Sequence, residues 1–90
     1  MPYITQERRN KIDTAIEILC HEMFCNELTE PGDLNYVLTR IINIVGITEN
    51  YKYSDINNVL GVLECVKQEI YRRVAVPYEE YKKRTNGDVF

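Results

Sequence analysis

The stretch from Ser54 to Val76, SDINNVLGVLECVKQEIYRRVAV, limits this chain more than any other, because it reads as one uninterrupted helix. At about 100° per residue, Ile56, Val59, Leu60, Leu63, Val66, Ile70 and Val74 fall on one broad arc, with Gly61, Glu64, Gln68 and Arg72 opposite. A helix with so wide an apolar face belongs in a core, and the rest of the chain must supply its cover. Gly61 sits in the middle of it at a cost of up to about 1 kcal/mol against alanine. Such a glycine predicts that another backbone passes close by.

Two shorter helices are predicted before it. Thr5 caps a short turn that carries Arg8, Arg9 and Lys11, and Asp13 then opens a helix to about Leu28. Ile12, Ala15, Ile16, Leu19 and Met23 share one face of that helix, while Ile18, Phe24 and Leu28 lie off the stripe and call for a second packing surface. Pro31 and Gly32 break the pattern, and Asp33 is the expected cap of the next helix, which ends at Gly46. Leu34, Val37, Leu38, Ile41, Ile42, Ile44 and Val45 take nearly half of its circumference, enough for two neighbours. The frequency of β-branched residues there makes a strand the competing assignment, but the three-to-four spacing favours helix.

Beyond Val76, Pro77 either kinks the long helix or opens a new turn, and PYEEYKKR forms a short fourth helix with Glu79 and Lys83 as an ion pair. Asn86 and Gly87 end it. The terminal Phe90 is expected to dock on Phe24 or Tyr3. Residues 1–90 thus read as one all-α domain, a compact three-helix bundle with a short fourth C-terminal helix and extended N- and C-terminal tails.

Composition closes off several function classes. With 44% apolar and 28% charged residues the chain is an ordinary globular one, and its formal charge of -3 argues against extended nucleic acid as partner. No signal peptide and no membrane span stand in the sequence, so a cytoplasmic protein with no membrane partner is expected. The three cysteines, Cys20, Cys25 and Cys65, lie within apolar helical patterns and read as reduced, buried thiols. Seven tyrosines without a tryptophan suit an interface, since tyrosine joins stiff apolar area to a hydrogen-bonding tip.

His21 and Cys25 have the i, i+4 spacing of two metal ligands, yet a zinc site needs four ligands, or three and a water. A histidine facing solvent beside an inert thiol is the simpler assignment. No phosphate loop, oxyanion turn or catalytic constellation is present, so no enzyme and no cofactor are expected. The candidate binding residues are instead Lys67, Tyr71, Arg72, Arg73, Tyr78 and Lys82. Guanidinium groups grip phosphates with paired hydrogen bonds and tyrosine rings stack on bases, a combination suited to a small anionic ligand such as a nucleotide. The same residues also have structural roles open to them. Lys67 can lay its stem on apolar surface and pair with Glu64, while Arg72 and Arg73 can complement a helix dipole and pair with Glu69, Glu79 or Asp88. Arg8 and Arg9 would join the patch if the N-terminal arm folded back.

The segments MPYITQERR, GDLNYVLTRI and GVLECVKQEIYRRVAVPYEEYKKRTNGDVF together resemble a family of small uncharacterised proteins met in tailed phages and bacteria, with the C-terminal pattern VLECVKxExYRRVxxPYExxKxxxNGDV. The resemblance implies a phage-type origin and transfers no catalytic residue. Small phage proteins commonly act by contact, which sets two expectations. One is a homo-oligomer that sequesters a nucleotide immune signal in an anti-defence role. The other is a protein–protein inhibitor or scaffold that docks a host protein through an exposed apolar strip.

Overall fold

The computed structural model describes residues 2–90, and every regular element among them is helical. In chain order these are α1 (Gln6–Asn10), α2 (Asp13–Cys25), α3 (Pro31–Ile41), α4 (Tyr53–Ile70) and α5 (Val76–Asn86). Two π-helical turns extend them, Ile42–Gly46 at the end of α3 and Tyr71–Ala75 between α4 and α5.

Local chemistry explains most of the boundaries. The Thr5 hydroxyl accepts the Arg8 backbone N–H at 3.4 Å, as a helix cap should. The third helix starts earlier than expected: Glu30 holds the cap position, Pro31 the first turn, and Asp33 accepts the Glu30 N–H at 3.1 Å from inside the helix. Pro31 suits that place because it has no amide hydrogen to leave unpaired. In the same way α4 starts before the Ser54 at which the sequence pattern begins: Lys52 holds the cap position, with its N–H donated to Asp55 Oδ2 at 2.8 Å. Gly87, at φ 92, ends α5 where the sequence places the stop.

Pro77 does not break the long helix. The preceding turn widens to a π-helical one in which the Val76 N–H reaches the Tyr71 carbonyl, which makes room for the proline ring. The result is one rod from Tyr53 to Asn86 lying along a molecule 52 Å in its longest dimension. Along it the ion pair forms between Lys83 and Glu80, at 3.4 Å, instead of Lys83 and Glu79.

Packing departs further from expectation, because the compact bundle does not close within one chain. Among the described residues, the one place where helical segments distant in sequence meet is the turn Ile42–Gly46 against α4; no Cα of α2 comes within 8 Å of α3, α4 or α5. Consequently none of the described residues is buried: Leu60 and Val62 of α4 are each 59% exposed, and Cys20, Cys25 and Cys65 are exposed thiols and not the buried ones expected. Phe90 does not dock on Phe24 or Tyr3 but stands fully open, since the tail only hydrogen-bonds its own Asp88.

The scale of this exposure is decisive. A compact monomer of 10.6 kDa exposes about 5,500 Å², whereas this chain exposes 8,247 Å². Its radius of gyration is 16.9 Å against about 12 Å for a compact domain of this length.

Candidate functional site

The six candidate residues all lie on the rod formed by α4, the π-helical turn and α5. Helical spacing gives several of them acidic neighbours. Lys67 pairs with Glu64 at 3.8 Å, one turn back, and its head is open to solvent. Exposed pairs of this kind add a few tenths of a kcal/mol and leave the ammonium available to an anion.

Arg72 bonds Glu69, whose other carboxylate oxygen accepts the Tyr3 hydroxyl at 2.7 Å. The Glu69 side chain is only 14% exposed, so this carboxylate is the best shielded part of the cluster. It ties the N-terminal arm to the far end of α4. The Arg72–Glu69 pair follows from i, i+3 spacing, but Tyr3 is 66 residues away and no local pattern points to it. The arm's return does not carry Arg8 and Arg9 into the cluster, because no Cα of α1 comes within 8 Å of α4 or the π-helical turn.

Arg73 has no carboxylate within 4.0 Å among the described residues. Its position in a widened turn matters, since π-helical turns reset the angular register of the side chains they carry. Tyr71, Arg72 and Arg73 all occupy that turn. One helical stretch further, the Lys82 ammonium sits 5.7 Å from the centre of the Tyr78 ring and 5.8 Å from that of Tyr81. Cation–π contacts at this distance fix the lysine head over the rings. Tyr81 is therefore part of the arrangement.

These groups do not converge on one hollow of the single chain. Lys67 and Tyr71 share a shallow groove with Gln68. Lys82 borders another, under the C-terminal tail, where Glu79, Glu80 and Asp88 set three acids against Lys82 and Lys83. A hollow of that charge does not select an anion. His21 and Cys25 lie 3.3 Å apart, Nε2 to Sγ, with no third ligand beside them; no group of three metal-ligating side chains occurs among the described residues.

The largely apolar hollows lie elsewhere, along α4. One runs beside Gly61, Val62, Cys65, Val66 and Ile70 with Pro2 at its end, and another lies between α3 and α4, bordered by Leu34, Leu38, Ile42 and Leu63. Exposed apolar surface of this extent marks a contact site. No helix among the described residues is long and apolar enough to cross a membrane.

No curated protein and no solved structure matches the chain. Residues 1–89 match the model of a domain of unknown function, DUF6899, and the chain belongs to that family.

Proposed function

We propose that the chain is a non-enzymatic subunit of a homo-oligomer that binds a small anionic ligand of the nucleotide class. The observation that carries the assembly is the surplus of roughly 2,700 Å² of surface over a compact monomer of the same mass. A standard interface takes about 800 Å² from each partner and obligate ones more, so the surplus is of the size that intertwined subunits bury. On this account the three-helix bundle with its short fourth helix closes between copies, and burial of Leu60, Leu63 and Ile70 follows from assembly.

The ligand half rests on chemistry at the π-helical turn. Arg73 of that turn is without a carboxylate partner in reach and Lys67, one turn before it, keeps an open head beside Tyr71, while Tyr78 with the Lys82 head over its ring adds stacking surface and no selection by charge. Bringing two copies together doubles this row and supplies the concavity that one rod lacks. For a protein of phage type the corresponding role is capture of a nucleotide immune signal, an anti-defence function. Docking of a host protein is the competing role for the apolar strip. It requires that strip to stay open after assembly.

Calorimetry of the assembled protein against mono-, di- and cyclic nucleotides tests the ligand. Saturable heat with one class, weakened at least tenfold in Arg73→Ala, is the expected result. Absence of heat with every member, or unchanged affinity in Arg73→Ala, overturns it.

A further inference from the structure

The element least accounted for is α2. Its apolar stripe, Ile12, Ile16 and Leu19, is exposed, and Phe24 on its flank is 72% exposed. Its C-terminal end is closed locally. At its end the Leu28 N–H donates to the Met23 carbonyl at 2.8 Å and the Glu27 N–H to the Phe24 carbonyl at 3.2 Å, around Glu27 at φ 58. That pair of bonds is the closure of a helix by a left-handed residue, here without glycine. Thr29 alone then separates it from the bonded start of α3 at Glu30. The corner is hydrogen-bonded on both sides of Thr29, and α2 lies clear of its own α4.

On α4, meanwhile, a Cβ at Gly61 would meet nothing within 4 Å in its own chain. The glycine lies at the middle of the helix, in a largely apolar groove beside Val62, Cys65 and Ile70. We propose that α2 of one copy lies in the α4 groove of a second copy, crossing closest at Gly61, and that the exchange is reciprocal. The exposed area requires a partner with a large apolar face, and a second copy supplies one in α2. The lengths agree: α2 has 13 residues, about 20 Å, and the groove from Asn58 to Ile70 runs for about the same distance. A reciprocal exchange satisfies both unpartnered surfaces with one contact and closes as a symmetric pair.

The inference rests on the assembly half of the function proposed above and not on its ligand half. Its test uses the native Cys20 of α2 and Cys65 of α4. An equal mixture of unlabelled and nitrogen-15-labelled protein is unfolded, refolded together, treated with a short bismaleimide and digested. Cys20–Cys65 links joining heavy to light peptides, in about half of the linked pairs, are the expected result. Links confined to peptides of one label, in a protein whose mass is a multiple of 10.6 kDa, overturn the exchange and leave the assembly standing; a mass of one chain overturns both.

Two variants supply an independent measure by light scattering and thermal melting. Leu19→Glu is expected to raise the dissociation constant at least 100-fold, and Gly61→Ala at least tenfold with a lower melting temperature. An unchanged mass for Leu19→Glu with a raised melting temperature for Gly61→Ala contradicts the proposal.

Discussion

Gly46 and Gly61 differ in what surrounds them, and the difference shows how much of this molecule one chain explains. A Cβ at Gly46 would stand 2.8 Å from Cγ2 of Val59, so α4 itself accounts for the missing side chain. At Gly61, in the middle of α4, the space is empty. One glycine lies where the chain packs on itself. The other lies in open space, where the proposed exchange puts a helix of a second copy.

Substitution at each site breaks or sharpens that contrast. The largest change is expected from Gly46→Ala, because Val59 is stiff and the added methyl forces the π-helical turn off α4. A loss of about 1–3 kcal/mol, read as a lower melting temperature at fixed protein concentration, is the outcome for an overpacked contact. Gly61→Ala comes next and its sign decides. In an isolated chain the alanine would stabilise α4 by about 1 kcal/mol through helix propensity alone, so a loss of stability that deepens on dilution means that the site is occupied in the assembled protein.

Glu69→Gln follows, with a smaller effect of about 1 kcal/mol, since it weakens bonds from Tyr3 and Arg72 to a shielded carboxylate but keeps an acceptor in place. It sharpens the contrast from the other side. The arm at Tyr3 is tied within its own chain while Glu69 also borders the α4 groove, so the variant should lower the melting temperature at every protein concentration and raise the dissociation constant far less than Gly61→Ala does.

Much of the helical layout was legible in the sequence, because capping chemistry is local. Thr5 and Gly87 act as their residue types dictate. Starts of helices were less so: the Glu30 and Lys52 N–H groups are held by the carboxylates of Asp33 and Asp55, three residues on, so that Asp33 itself reads as a cap and the start of α4 reads as Ser54, two residues late. The continuity of the rod past Pro77 depends on a widened turn, and periodicity at 3.6 residues cannot register one.

What hydrophobic spacing does not encode is whose surface covers an apolar face. Ile16 and Leu19 have the pattern of core residues and are exposed in their own chain. For the candidate site, the pairs Lys67 with Glu64 and Arg72 with Glu69 were legible as one-turn neighbours. The contact of Tyr3 with Glu69 was not, because it joins opposite ends of the chain.

The central claim is that the core of this protein is made between chains. Sedimentation equilibrium on the native protein across a hundredfold range of concentration tests it most directly. The account predicts a mass that is a multiple of 10.6 kDa at the upper end, with helical circular dichroism falling as the particle dissociates on dilution. A single species of 10.6 kDa that keeps its helix content at every concentration would contradict it.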